Sequence, residues 1–228
     1  MMEHPPIAAL TVLGAVLGLD VVSFPQAMLS RPIVAATAGG AVAGDPVAGL
    51  LAGATIELFA LETLPVGASR YPEWGSASVV GGALLGLHGQ LHPGALSVAL
   101  LATIATGWIG GWTMIQLRKL NGIWARRLRP AIDSGHSMAV VGLQFGGLFA
   151  DLLRGGALTL LSLLAFIPLA EATLAIWGAD ARLSRAVSVV VAASVAAAAV
   201  WKLFRVTAGA RWYLLGGLAL GLLAMWAL

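Results

Sequence analysis

The feature that most constrains this chain is the arrangement of its apolar residues in long blocks, separated by short polar or Pro/Gly breaks. Only 10% of its 228 residues are charged, whereas soluble domains carry about 25%. So few charges cannot cover the surface of a globule of this length in water. The pattern therefore predicts an all-α, polytopic membrane helix bundle that forms a single domain over residues 1–228.

The apolar blocks are the predicted helices. The first, residues 7–22, lacks the basic flank and the small-residue cleavage site of a signal peptide, so we expect it to remain as a helix. The later blocks cover residues 33–44, 46–64, 77–87, 95–117, 136–153, 157–177, 186–201 and 212–228.

The block at residues 33–44 is too short to cross a bilayer. At about 1.5 Å per residue it makes roughly 18 Å of helix, whereas the hydrocarbon core is about 30 Å thick. It begins after Arg31-Pro32 and ends at Gly44-Asp45, which predicts a half-helix or re-entrant segment. The next helix has a clear start signal, with Asp45 as N-cap and Pro46 at the first helical position.

A basic segment, residues 118–135, divides the chain into a first helical half (1–117) and a second helical half (136–228). Its five basic residues are Arg118, Lys119, Arg126, Arg127 and Arg129. Such a cluster between apolar blocks is typical of a cytoplasmic loop under the positive-inside rule. We prefer this interpretation to an RNA-binding patch, and we expect no nucleic-acid partner.

The remaining basic residues leave the number of crossings open. If every block after the basic segment crosses, Lys202, Arg205 and Arg211 lie outside. If the first of those blocks does not cross, these three lie inside, and Arg182 and Arg185 lie outside. The conflict indicates at least one re-entrant or interfacial segment.

Glycines recur at a spacing of four residues, which lets helix backbones approach closely in lipid. This predicts a tightly packed bundle. The pairs are Gly40 and Gly44, Gly49 and Gly53, Gly82 and Gly86, and Gly142 and Gly146.

Glu57 is the leading candidate site residue, because it lies near the middle of a predicted apolar helix. A charge there costs at least about 2.5–3.5 kcal/mol, so it indicates a pathway or a site. The two carboxylate oxygens can accept hydrogen bonds from neighbouring sugar hydroxyls. The alternatives are a structural ion pair with a cation such as Arg31, or a carboxylic acid kept neutral by burial.

Three further polar residues lie near helix ends. Glu62 follows Glu57 by five positions, so the two cannot share one helix face unless the helix breaks, and Glu62 is equally well explained as solvated. Asp20 and Gln26 follow the first apolar block. They could line a pathway or lie at the membrane interface.

Two other groups favour structural roles. Asp151 and Arg154 are three residues apart, which predicts an ion pair on a helix. Tyr71 and Trp74, beside Glu73, could stack on a sugar ring, although an aromatic belt at the membrane interface is the commoner explanation.

No catalytic motif was found in the sequence. A phosphate-binding G-x-x-x-x-G-K-[ST] sequence is absent, and Gly89 and Pro93 disrupt the helix that would place His88 and His92 together. We therefore predict no metal site, no cofactor and no catalytic residue in this chain. An intramembrane enzyme remains the least favoured class.

The run from Arg31-Pro32 through Gly44-Asp45 to Gly49, Gly53 and Glu57 resembles the IIC subunit of the mannose/fructose/sorbose family of phosphotransferase permeases. The likeness continues through residues 66–78, and again at 148–158.

This resemblance implies a membrane subunit with a core and a scaffold, which carries a hexose or related sugar across the bacterial inner membrane. It also implies a hetero-oligomer with a IID membrane subunit. The sugar would be phosphorylated on entry by the cytoplasmic IIB protein, which IIA charges, so phosphoryl transfer would occur on partner subunits.

Five residues form the expected sugar-binding set: Glu57, Gln26, Asp45, Glu62 and Pro65. Glu57 matches the acidic position of the family's sugar site. Gln26 stands where members usually have an acid, and Pro65 stands where a polar residue is usual. These departures keep open an alternative, an uncoupled carrier or binding subunit of the same fold for another small polar solute.

Overall fold

The computed structural model describes residues 5–61, 70–89 and 92–227, and every regular element within them is an α-helix. The all-α prediction is confirmed. The helices are α1 (Ile7–Asp20), α2 (Pro32–Val42), α3 (Pro46–Ala60), α4 (Trp74–His88), α5 (Ala95–Asp133), α6 (Ser137–Ala175), α7 (Ala181–Phe204) and α8 (Ala210–Ala227).

Within the described residues, three helices are long and apolar enough to cross a membrane: α5, α6 and residues Ala181–Lys202 of α7. The helices α5 and α6 have 39 residues each, which makes each of them about 58 Å long. That length is nearly twice the thickness of a bilayer core, about 30 Å. The chain is a membrane protein, and each of these two helices is longer than a single upright crossing requires.

The predicted short helix is present and pairs with its successor. Pro32 occupies the first turn of α2, which has only 11 residues. The next helix, α3, begins at Pro46, and the Asp45 carboxylate caps it by accepting a hydrogen bond from the Ala48 amide at 2.8 Å. The two helices pack together as a short hairpin that turns at Gly44.

Helix α4 lies at the centre of the molecule. All residues from 75 to 85 are buried, and α4 packs against α1, α2, α3, α5 and α6. Its start is fixed by Glu73, whose carboxylate accepts a hydrogen bond from the Ser76 amide at 3.0 Å.

The prediction of close glycine packing is confirmed for the helices around α4. A Cβ on Gly40 would lie 2.5 Å from the Gly49 Cα, and one on Gly82 would overlap the backbone of α2. A Cβ on Gly142 or Gly146, by contrast, would have no described atom outside its own helix within 4 Å. The predicted close packing is therefore not found for the Gly142–Gly146 pair within the described part of this chain.

The prediction of a loop over residues 118–135 is wrong in conformation. Helix α5 continues through the basic segment to Asp133, and only a short turn through Ser134 and Gly135 precedes α6. Arg, Lys, Leu and Ala are strong helix formers, so the loss of apolar character there does not end the helix.

The predicted break between blocks 136–153 and 157–177 is also wrong, because α6 is continuous. Gly155 and Gly156 lie inside the helix and face α1, where a Cβ on Gly155 would lie 3.3 Å from the Ala15 Cα. These glycines allow helix packing and do not break the helix. Membrane helices tolerate glycine in this way.

Candidate functional site

The candidate site lies where the N-terminus of α2 meets the C-terminal half of α3. One guanidinium nitrogen of Arg31 (Nη2) donates a hydrogen bond to Oε1 of Glu57, which also makes the two side chains an ion pair. The second oxygen, Oε2, accepts a hydrogen bond from the Ile33 amide at 3.2 Å. The ion pair with Arg31, one of the alternatives that the sequence left open, is therefore present.

Local sequence explains why these groups meet. Gly49, Gly53 and Glu57 are four residues apart, so they lie along one face of α3. A Cβ on Gly53 would lie 2.7 Å from the Pro32 carbonyl oxygen, which means that only glycine allows the two backbones to approach so closely. The close contact brings the Ile33 amide, which is the first free amide of α2 and carries partial positive charge, to the Glu57 carboxylate.

The pair is accessible. The side chain of Glu57 is 20% exposed and that of Arg31 is 36% exposed, so a small ligand can reach the carboxylate without unfolding the hairpin. The arrangement suits a polyol, because a sugar hydroxyl can replace one donor at the carboxylate while another accepts from the guanidinium. Neither side chain has to change its charge for that exchange.

Asp20 fixes the connection that leads into Arg31. It is buried, and its two oxygens accept hydrogen bonds from the Ala27 amide at 2.7 Å and the Ser30 amide at 2.8 Å. Gln26 lies on the same connection, is exposed, and donates from Nε2 to the Val22 carbonyl at 2.6 Å. The sequence did not reveal the anchoring role of Asp20, since an apolar block followed by an acid predicts no partner.

The other expected site residues are not gathered at Glu57. Asp45 lies twelve residues before Glu57 on the same helix, which places the two about 18 Å apart along its axis. The structure shows Asp45 as the N-cap of α3. Glu62 and Pro65 lie outside the described residues.

A second polar cluster is buried between α1, α5 and α6. Arg154 Nε donates to Asp151 Oδ1 at 2.8 Å, which confirms the predicted ion pair, and the two side chains are 8% and 1% exposed. The Ser23 hydroxyl donates to the other Asp151 oxygen. Thr113 accepts from the same guanidinium at 3.4 Å. No feature of the sequence points to Ser23, which is 128 positions from its partner.

Tyr71 is buried, so its ring cannot stack on a ligand at the surface. Its hydroxyl accepts a hydrogen bond from Arg118 Nη2 at 2.8 Å, and the guanidinium carbon lies 5.4 Å from the ring centroid. Trp74 packs against the core. Neither aromatic residue belongs to the Arg31–Glu57 site as the structure describes it.

The sequence matches the family described as "PTS system sorbose-specific iic component" over residues 6–177. This match covers α1 to α6 and includes the whole α2–α3 hairpin.

Among curated proteins, the chain is 29% identical over 124 residues to the mannose-specific EIIC component of Escherichia coli K12. It is 26% identical over 124 residues to the sorbose-specific EIIC component of Lacticaseibacillus casei. Each match covers 54% of this chain, but only 45% and 43% of the respective relative.

Two solved structures share the fold. A chain described as "Structure of membrane protein" has a TM-score of 0.75 and 19% identity, and the match covers 99% of this chain and 94% of that one. A chain of the mannose transporter ManYZ, solved in complex with microcin E492, has a TM-score of 0.61 and 20% identity, covering 96% and 85%.

Proposed function

The chain belongs to the family of sorbose-specific IIC components of the phosphotransferase system, and from this membership we propose that it carries a hexose or related sugar across a bacterial inner membrane. The sugar is phosphorylated on entry by a cytoplasmic IIB protein. The chain crosses the membrane several times and works in a hetero-oligomer with a IID subunit.

The observation that carries this proposal is the accessible Arg31–Glu57 pair on a half-length hairpin. A short hairpin places a polar end part-way through a bilayer, where backbone and charge are tolerated only if they line a cavity or contact protein.

The charge distribution supports one orientation. The C-terminal half of α5 carries the five basic residues named above, and we assign that end of the helix to the cytoplasm. Because α6 is one continuous helix, a single crossing puts Arg182 and Arg185 outside and returns Lys202 to the inside. This corresponds to the second of the two arrangements that the basic residues left open.

The test is sugar uptake in cells that express the chain with its IID, IIB and IIA partners. Glu57→Gln keeps the size of the side chain but removes the charge that holds Arg31, and we expect uptake to fall about 100-fold, the loss of a charge-assisted hydrogen bond worth about 3 kcal/mol. Glu171→Gln is the matched control, since Glu171 is an exposed glutamate on α6.

Co-purification of the IID subunit with each variant separates loss of transport from loss of assembly. Normal uptake by a correctly assembled Glu57→Gln variant would remove Glu57 from the sugar site. Equal losses in both variants would indicate a general effect of charge removal.

The coupling of sugar transport to phosphorylation is measured separately, with the purified complex in vesicles. Sugar phosphate that appears inside only when phosphorylated IIB is present supports the phosphotransferase role. Free sugar that appears inside at the same rate without IIB would instead support an uncoupled carrier.

A further inference from the structure

A cavity of about 620 Å³ opens between α5, α6 and the end of α1. Neither Arg31 nor Glu57 lines it. Its volume lies within the range of small-molecule sites, about 300–1,000 Å³. Its polar wall consists of Ser23, Arg118, Asn121, Gln144 and Asp151.

Arg118 is the fixed positive charge of this cavity. Its guanidinium is held against Tyr71 by the hydrogen bond to the phenol oxygen and by stacking on the ring. Tyr71 is buried, so Arg118 rests on a rigid support and is positioned before any ligand arrives. An arginine held in this way loses little side-chain entropy on binding an anion.

Asn121 adds an unsatisfied polar group one turn further along α5. Its Oδ1 atom is buried and has no hydrogen-bond partner among the residues that the structure describes. Leaving such an acceptor unpaired costs about 1–3 kcal/mol, so a rotation of the Asn121 side chain that turns this oxygen into the cavity, towards a ligand hydroxyl, is favoured.

Asp151 does not make the cavity negative. One of its oxygens accepts from Arg154 and the other from Ser23, so its charge is already balanced. The nearby exposed residues Lys119 and Arg126 add positive charge to the same part of α5. The net field at the cavity therefore favours an anion.

The rest of the wall is apolar, with Met114, Leu117, Leu143 and Leu148 among its members. A free ion would leave this surface uncovered, whereas a phosphate ester with a carbon skeleton would cover it. The combination of a positioned guanidinium, an unpaired acceptor and an apolar wall defines the class of ligand.

We propose that this cavity binds a phosphate ester that also carries hydroxyl groups, with the phosphate on Arg118 and a hydroxyl donating to Asn121. Two sources provide this chemistry: a soluble sugar phosphate, or the headgroup of an anionic phospholipid such as phosphatidylglycerol. The inference stands apart from the proposed function, because binding needs neither transport nor IIB.

Binding is measured on the purified chain in phosphatidylcholine nanodiscs, by calorimetry with glucose 6-phosphate and by lipid retention with phosphatidylglycerol. Glucose and inorganic phosphate are the comparison ligands. We expect Arg118→Gln to weaken binding of the ester by about tenfold or more, as loss of a charge-assisted contact does. Arg127→Gln, which removes an exposed charge from the same helix, should change it less than about twofold.

A second pair of variants leaves all charges in place. A Cβ on Gly147 would lie 3.6 Å from Asn121, an ordinary contact, whereas a Cβ on Gly146 would meet open space. Gly147→Leu should therefore fill the cavity and abolish binding, and Gly146→Leu should not. This pair keeps the proposal testable even if Arg118→Gln fails to fold.

Each outcome decides the proposal. Binding of only one of the two ester probes shows whether the ligand is a soluble sugar phosphate or a lipid headgroup. Binding of either probe supports the site. Equal losses in Arg118→Gln and Arg127→Gln, or glucose binding as tightly as its phosphate, would overturn it. Glu57→Gln, which should lose sugar uptake, should retain ester binding, so the two proposals can fail separately.

Discussion

Gly53 and Pro32 face each other so closely that a Cβ on Gly53 would lie 2.7 Å from the Pro32 carbonyl oxygen. This contact sets the position of the candidate site, because Glu57 lies one turn beyond Gly53 on the same face of α3. The amide of Ile33, the residue after Pro32, then reaches the Glu57 carboxylate. The close approach of the two backbones therefore sets the geometry of the site.

Replacing Gly53 with valine should separate the hairpin. Overpacking of this kind costs about 1–3 kcal/mol, and here it should also break the hydrogen bonds between Glu57 and the start of α2. We expect a lower unfolding temperature and a loss of sugar uptake. Thermal unfolding in detergent and uptake in cells measure the two effects.

The matched control is Gly146→Val, because a Cβ on Gly146 would have no described atom outside its own helix within 4 Å. It introduces the same β-branched side chain into an apolar helix. If Gly146→Val destabilises the protein as much as Gly53→Val does, the effect comes from helix propensity and the close contact is not its cause.

Asp45 should act as a helix cap with no direct part in sugar binding. Asp45→Ala removes the hydrogen bond to the Ala48 amide, so we expect a loss of about 0.5–2 kcal/mol in the free energy of unfolding. Asp45→Ser should keep most of the wild-type free energy of unfolding, because serine is also a good N-cap residue. Sugar affinity should be unchanged in both, since about 18 Å of helix separates Asp45 from Glu57. A large loss of affinity in the stable serine variant would return Asp45 to the binding set.

Asp151 should be one of the most sensitive positions for stability. Asp151→Asn leaves the Arg154 guanidinium buried without its counter-charge, and breaking a buried pair in this way costs about 3–5 kcal/mol. Asp133→Asn breaks an ion pair whose side chains are 68% and 78% exposed, and should cost only about 0–1 kcal/mol. Chemical unfolding of the two variants provides the comparison, and similar values would contradict the burial of the Asp151 cluster.

Local signals predicted the start of the candidate site well. The dipeptides Arg31-Pro32 and Asp45-Pro46 restrict the backbone within one or two residues, so both helix starts followed from sequence. The spacing of four residues between Gly53 and Glu57 places both on one face of α3. These features depend on neighbours in the chain alone.

Other features depend on contacts that the sequence does not encode locally. Ser23 bonds to Asp151 from 128 positions away, and nothing near either residue indicates the partner. The break predicted between residues 153 and 157 is wrong, because Gly155 packs against α1 and tertiary contact there overrides local preference. The basic segment is polar but helical, because Arg, Lys, Leu and Ala favour a helix whether or not the segment is apolar.

The two ends of α6 should be accessible from opposite sides of the membrane. The helix is about 58 Å long, with exposed Ser134 just before it and exposed Ala179 just after it. The sequence contains no cysteine, so single cysteines can be introduced without first removing native ones.

Ser134→Cys should react with a membrane-impermeant maleimide only from the cytoplasmic side, because the basic end of α5 adjoins it. Ala179→Cys should react from outside in intact cells. Reaction of both cysteines from one side would show that α6 enters and leaves the membrane on the same face, and would refute the single crossing on which the proposed orientation depends.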